Sequence, residues 1–423
     1  LDKETDYLQE KEKMFTPILA VEEASRCLLC YDAPCTNACP AGTDPAKFIR
    51  SLRFRNFKGA ASTIRENNVL GGICARVCPT DKYCEGACSR CGIDKPIQIG
   101  KLQRYLTDYE QMTGIKSLEA VKATKDKVAI IGSGPSGLSA AAKLALTGYK
   151  VTVFEAREQL GGWLTYGIPE NRLPQQIVEN EIQYVKDLGV EFKTNCKVGK
   201  DIKIEDLKKD GFRAFLLATG MQKGKGVNIK GNDLKGVING VDFLAKAKTS
   251  RGNIEVGKKV VVIGGGDVAM DCASTAKLLG AEDVKVVYRR NMEKMPADRK
   301  ELAYIQELNI PVFTGFKPAE IVGENGRVSK FKAVGMFDNS ELNLDADMVI
   351  FAVGQEPEKN IVSADVNEKG IFKTSKYMTN VDGIFASGDI AEGDKTVVYA
   401  VKEGKEAADS IIKYLTSKKE GVR

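Results

Sequence analysis

Eleven cysteines and no histidine define the chemistry open to this 423-residue chain. Without imidazole there is no His-containing zinc site, no Ser-His-Asp or Cys-His nucleophile and no His-ligated haem. Reactive chemistry must come from thiols, from charged groups or from a bound cofactor. Nine of the cysteines fall between Cys27 and Cys91, and only Cys196 and Cys272 lie beyond them. The first run is Cys27-x2-Cys30-x4-Cys35-x3-Cys39-Pro40; the second is Cys74-x3-Cys78-Pro79-x4-Cys84-x3-Cys88, followed by Cys91. Thiolates offered from turns at such spacings can surround an inorganic cube, and in two-cluster ferredoxins the Cys before Pro binds the other cluster. By that logic Cys39 leaves the first cluster for the second, and the cysteine count suits two 4Fe–4S clusters. Structural zinc and a disulfide net are the alternatives. Cys196 and Cys272 read as ordinary buried thiols, Cys272 on a helix beside Ala273.

Two glycine-rich turns supply the other chemistry. Gly132-x-Gly134-x-x-Gly137 follows the apolar run KVAII and opens a helical pattern. In such a motif the first glycine makes the tight turn, the second admits a pyrophosphate and the third lets helix and strand pack closely. The helix N-terminus then faces the phosphates. Glu155 ends the next strand, where a carboxylate binds a ribose hydroxyl. The pattern recurs as Gly264-x-Gly266-x-x-Ala269, about 130 residues on, after KKVVVI. Aligned by strands, Arg289 is expected at the place of Glu155, with Arg290 next. A guanidinium there suits a 2′-phosphate, so the first site should hold a dinucleotide without one and the second should prefer NADPH, with NADH possible. The bland alternative is a solvated charged strand end.

The elements that must position these residues can be read from pattern and composition. Up to residue 118 the chain reads as helices between Cys-rich loops, with Asp44 as an N-cap and Pro45 opening a helix; residues 118–126 read as a polar linker. Two βαβ patterns come next, then the short strands in DADMVIFAVG and DGIFASGD and a final amphipathic helix. The expected fold is α/β: a helical iron–sulfur domain (1–118), an FAD domain (119–240 and 355–423) and an NAD(P)H domain (241–354) inserted in it. A composition of 43% hydrophobic and 28% charged residues excludes disorder, collagen and coiled coil. No run reaches the ~18 apolar residues of a membrane span. The net charge of +6 is spread along the chain and gives no nucleic-acid argument. The charged start, LDKETDYLQEKEKMF, has no apolar signal region, so a cytoplasmic enzyme is expected.

The residues SRCLLCYDAPCTNACP, KFIRSLRFRNFKGAASTIRENN, CARVCPTDKYCEGAC and IQIGKLQRY carry a resemblance. They are similar to the flavin- and iron–sulfur-containing pyridine nucleotide reductases, in particular the dihydropyrimidine dehydrogenase branch; glutamate synthase small subunits belong to the wider family. The resemblance runs from about residue 16 to about residue 415. It implies one cluster on Cys27, Cys30, Cys35 and Cys88, and another on Cys39, Cys78, Cys84 and the side-chain oxygen of Gln103. It implies FAD at Gly132, Gly134, Pro135, Ser136, Gly137, Glu155, Gly162, Trp163, Arg172, Val198, Gly388, Asp389, Thr396 and Val397. The nicotinamide cofactor would meet Gly264, Gly266, Asp267, Val268, Ala269, Arg289, Arg290, Ala352, Val353 and Gly354. The implied reaction is hydride transfer from NAD(P)H to the flavin and then single-electron transfer to the clusters, with no side-chain acid required for the hydride step. No stretch is left for a (β/α)8 barrel. The resemblance therefore implies an oxidoreductase subunit whose partner is a PreA-like barrel subunit with FMN and iron–sulfur clusters, in a heterotetramer, reducing uracil and thymine or running in reverse. The equivalent reductase module of glutamate synthase or of a bifurcating NAD(P) transhydrogenase, or a non-catalytic zinc- and nucleotide-binding scaffold, are the competing readings.

Overall fold

Short oxygen-bearing side chains start the N-terminal helices. Thr16 accepts from Leu19 N, Asp44 from Lys47 N and Asn56 from Gly59 N, each satisfying a donor that the first turn leaves unpaired. The helices are Pro17–Ser25, Pro45–Arg53 and Phe57–Asn67. The residues DPAKFIRSLRFRNFKGAASTIREN, whose spacing is helical from 44 to 67, thus form two helices, broken where Arg55 takes a φ of 60°. Gly71–Val77 and Ile99–Thr113 complete the helical part. Phe48, Leu52, Ile64, Leu102 and Leu106 are among the buried residues of its core. In this computed structural model residues 7–358 and 361–420 are described.

Beyond the helical part lie two parallel five-stranded sheets. The first runs in the order Ile384–Ala386, Phe212–Leu217, Lys127–Ile131, Lys150–Phe154, Glu191–Lys193. The second runs Val237–Asn239, Met348–Phe351, Lys259–Ile263, Asp283–Tyr288, Val312–Thr314. Strands such as KVVVI are buried along nearly their whole length, as a parallel sheet covered on both faces requires. An antiparallel three-stranded sheet, built from 316–324, 327–335 and 341–345, precedes the strand Met348–Phe351.

The chain divides into two compact units. One contains residues 12–164, 175–220, 357–358 and 361–420: the cysteine-bearing helices and the first sheet. The other contains residues 7–11, 165–174 and 221–356: the second sheet and its antiparallel companion. The chain therefore leaves the first sheet after Gly220 and rejoins it after Glu356. The second unit takes in 7–11, 165–174, 221–240 and 355–356 besides the segment 241–354 expected from the sequence, so that 7–11 lie outside the unit that holds the rest of the expected iron–sulfur domain (1–118).

Within the first unit, the helical part and the sheet part are fastened by a buried cation. Arg65 Nε lies 2.6 Å from Glu110 Oε2, and Arg65 Nη1 lies 2.6 Å from Glu181 Oε1. Glu181 sits on Gln175–Asp187, a helix of the sheet part, and its other oxygen accepts from Gly72 N. The Arg65 guanidinium also stacks on Tyr184 of that helix, 4.7 Å from the ring centre. Burial raises the Glu181 carboxyl above the usual range, against the pull of Arg65. Removing one partner of such a cluster leaves uncompensated charge. Arg65→Met is expected to cost roughly 3–5 kcal/mol in denaturant unfolding; a change below about 1 kcal/mol, the range of exposed ion pairs, would contradict this role.

Candidate functional site

The turns between the N-terminal helices gather the cysteines into two groups. Cys27, Cys30, Cys35 and Cys88 line one cavity, whose other walls include Leu28, Pro34, Ile49 and Ile97. Cys39, Cys78 and Cys84 lie within electrostatic reach of one another; Cys74 is within reach of Cys39 and Cys78, and Cys35 of the first group is within reach of Cys84. Burial pushes the Cys35 thiol up to about 11 and the Cys74 thiol up to about 12, and raises Cys27, Cys78 and Cys84 as well. A metal core bound here would compensate the charge of the ligating thiolates. Among the described residues no three acidic or thiol side chains converge closely enough to chelate a single ion. The first group instead rings an open cavity, which fits a polynuclear core.

Gln103 stands in the middle of Ile99–Thr113 and is buried. Its Nε2 donates to Gly71 O at 2.7 Å, which leaves its oxygen as the end able to serve a metal. Gly71 opens the helix that leads to Cys78, so the amide is tied to the element carrying a proposed co-ligand. Cys91 points elsewhere: it is exposed, and its Sγ faces the carbonyls of Glu85 and Gly86. Cys196 is half-buried in the first unit, and Cys272 is fully buried in the core of the second sheet.

The first glycine turn has the geometry of a phosphate cradle. A Cβ on Gly132 would lie 2.4 Å from Ala218 O, and one on Gly137 would lie 2.1 Å from Gly132 O. Only glycine fits either place. Gly134 differs: nothing lies within 4 Å of its missing side chain, and it caps the helix Pro135–Leu146. That open face at a helix N-terminus is where a pyrophosphate would approach. Glu155 is buried, and its Oε2 accepts from Ser133 N at 3.0 Å and Ser133 Oγ at 2.5 Å. Its Oε1 accepts from Arg157 N at 2.9 Å. Ser133 Oγ in turn accepts from Gly161 N, a Cβ on Gly162 would lie 3.1 Å from Gly134 Cα, and Trp163 starts the next short helix. The chain returns at residue 387: Ser387 Oγ is 2.6 Å from Ser136 Oγ, and Gly388 N donates to Glu403 Oε2 at 2.7 Å. Burial raises the Asp389 carboxyl and pushes Glu403 up to about 7. Thr396 and Val397 start the long helix Val397–Glu420, and Val198 is a buried core residue near Phe154. Sequence reasoning misses Ser133 and Glu403. Ser133 occupies a variable motif position, and Glu403 is one of several acids on an amphipathic helix.

Arg172 lies in the segment 165–174. It belongs to the second unit, where it pairs with Asp271 at 2.5 Å and with Glu301 at 3.3 Å. No sequence spacing links these three residues.

The second glycine turn repeats the cradle. A Cβ on Gly264 would lie 2.3 Å from Ala352 O, while Gly266 has only Pro296 Cγ nearby, at 3.9 Å. Ala269 is buried at the third position, Asp267 and Val268 open the helix, and Val353 and Gly354 lie exposed beyond Ala352. The register corrects one expectation. Ile131 pairs with Phe154, and Ile263 pairs with Val287, so Tyr288 occupies the place of Glu155. Gly132 N bonds Phe154 O and Gly264 N bonds Val287 O, which fixes the same frame. The second crossover is one residue longer, so Arg289 stands one place beyond the carboxylate position and Arg290 two. Both arginines are exposed. The Tyr288 ring covers Gly265, and its hydroxyl donates to Lys294 O at 2.7 Å.

Residues 126–404 match the family described as pyridine nucleotide-disulphide oxidoreductase, and residues 3–115 match dihydropyrimidine dehydrogenase domain II, 4Fe-4S cluster. The chain belongs to the pyridine nucleotide-disulphide oxidoreductase family. Its cofactors are FAD, a nicotinamide dinucleotide and 4Fe–4S clusters. It is 48% identical to the NAD-dependent dihydropyrimidine dehydrogenase subunit PreT of Escherichia coli O157:H7, over 97% of this chain and 98% of that one. It is 32% identical to the glutamate synthase [NADPH] small chain of Azospirillum brasilense, over 96% of this chain and 91% of that one. Among solved structures, the thioredoxin reductase of T. acidophilum shares the fold, with a TM-score of 0.58 at 22% identity, covering 70% of this chain and 100% of that one. Among the described residues no helix is long and apolar enough to cross a membrane.

The contrast between the glycines gives a test. Gly134→Ala is expected to change stability by no more than about 1 kcal/mol, the scale of a cap change, while flavin content falls severalfold. Gly266→Ala should leave flavin content intact and weaken NAD(P)H binding. If Gly134→Ala retained full flavin, the open face would not be the pyrophosphate site.

Proposed function

We propose that this oxidoreductase is the electron-input subunit of a dihydropyrimidine dehydrogenase-type enzyme. In that reading the second unit binds NAD(P)H, the first unit binds FAD, and two 4Fe–4S clusters are held by Cys27, Cys30, Cys35, Cys88 and by Cys39, Cys78, Cys84, Gln103. The observation that carries it is the gathering of Cys27, Cys30, Cys35 and Cys88 round one cavity, and of Cys39, Cys78 and Cys84 near one another, in the same compact unit as the glycine-rich flavin turn. FAD bound at the first glycine turn would supply hydride acceptance and the splitting of an electron pair into single electrons for iron–sulfur centres. The chain's own residues bind and orient: backbone amides at Gly134 and Gly266 face phosphates, Glu155 holds a ribose, and Gln103 and the thiols hold metal. The partner is proposed to be a barrel subunit with FMN and iron–sulfur clusters, joined in a heterotetramer and acting on uracil or thymine. The 48% identical relative named for that enzyme supports this choice of acceptor.

For the nucleotide, the proposal departs from that relative's description as NAD-dependent. Tyr288 in place of a carboxylate removes the usual partner of a 2′-hydroxyl, and Arg289 and Arg290 come directly after it, exposed to solvent. This favours NADPH, because two guanidinium groups can grip a 2′-phosphate.

Two measurements test these assignments. Substituting Arg289 and Arg290 together with Gln should raise the KM for NADPH at least tenfold and leave that for NADH within about threefold; equal losses would end the 2′-phosphate reading. The purified subunit should leave uracil unconsumed with NADPH until the barrel subunit is added; consumption by the subunit alone would contradict the division of labour.

A further inference from the structure

Residues 403–405 of the long C-terminal helix reach in two directions. Glu403 accepts from Gly388 N in the loop that closes the flavin turn. Gly404 lies against Ser136: a Cβ there would be 2.2 Å from Ser136 O. Lys405 turns the other way, and its Nζ donates to Ala41 O at 2.7 Å and to Asn67 O at 2.5 Å. Ala41 is buried and lies two residues beyond Cys39. The ammonium is half-buried and within electrostatic reach of both Cys39 and Cys74. The other charges facing it are Lys143, Glu406 and Asp409. Neither carbonyl partner carries charge, so the two hydrogen bonds fix the cation in place without neutralising it.

We infer that Lys405 is a positioning and charge-tuning residue for the second iron–sulfur cluster: its fixed ammonium beside the Cys39 loop raises that cluster's reduction potential. This rests on the reading that Cys39, Cys78, Cys84 and Gln103 hold a cluster. Net charge and surroundings are what the protein uses to shift such potentials. A cation near the cluster favours the form that has gained an electron. A unit charge at a separation of roughly 10 Å, in an effective dielectric of about 20, changes a one-electron equilibrium about tenfold. Because the same helix secures the flavin loop, the cation would make this cluster the more ready of the two to take the flavin's electrons.

The test is a redox titration of the cofactor-replete chain followed by electron paramagnetic resonance, with iron measured in every variant. Lys405→Gln keeps a donor for the two carbonyls and removes the charge; Lys405→Arg keeps both. Lys405→Met serves as a second neutral variant if the Gln form does not fold. The neutral variants should lower the reduced-to-oxidised ratio of the Cys39-dependent cluster about tenfold at a given potential, equal to 59 mV for one electron. Lys405→Arg should stay within twofold, and the Cys27-dependent cluster should not move. Equal shifts in the Gln and Arg forms would mean a packing role and overturn the inference, as would no shift in either. Cys39→Ser identifies the signal: if it disturbs neither cluster, the ligand reading fails first and the inference falls with it.

Discussion

A guanidinium buried between two carboxylates holds the redox half of this chain together. Arg65 touches Glu110 of its own helical part and Glu181 of the sheet part, at 2.6 Å each. Glu181 also receives Gly72 N, at the start of the helix that leads to Cys78. Such charges are costly to bury and more costly to separate. The same contact thus fixes the cysteine loops against the flavin-binding sheet. Electron transfer between fixed centres needs that kind of rigidity, and the C-terminal helix reinforces it. Tyr83 reaches Asp394 at 2.8 Å, and Lys405 holds the carbonyls of Ala41, just beyond Cys39, and of Asn67.

The dinucleotide cradles depend on a second constraint, which is space. Gly132 and Gly264 have backbone oxygens at 2.4 and 2.3 Å from where a Cβ would sit, so the turns exist only with glycine. Gly134 and Gly266 have empty space instead, on the side where phosphates would bind. The two turns are therefore built alike and differ in the residue that ends the next strand. Glu155 is held by Ser133 and Arg157 in the first, whereas Tyr288 lies over Gly265 in the second. The proposed preference for NADPH rests on this exchange of a carboxylate for an aromatic ring followed by two arginines.

Much of this is legible in the sequence because it is local. Cysteine spacing, the glycine motifs and helix starts such as Asp44-Pro45 are encoded within a few residues. The hidden features are long-range or depend on one residue of loop length. Strand pattern puts Arg289 level with Glu155, but the longer crossover moves Tyr288 there, and pattern alone cannot register a single inserted residue. Arg65, Glu110 and Glu181 look like ordinary surface charges of amphipathic helices; only the packing of distant helices buries them. The pairing of Arg172 with Asp271 and Glu301 is invisible for the same reason. Gln103 comes from family resemblance, since an amide gives no spacing signal of its own.

The most direct test is anaerobic reduction of the cofactor-replete chain by NADPH, followed by visible absorption and electron paramagnetic resonance, with iron quantified. The expected result is about eight irons per chain, bleaching of the flavin band and paramagnetic signals from reduced clusters in the absence of any partner. Flavin bleaching with little iron, or with clusters that stay oxidised, would contradict a chain built to pass electrons from a nicotinamide through flavin to iron–sulfur centres.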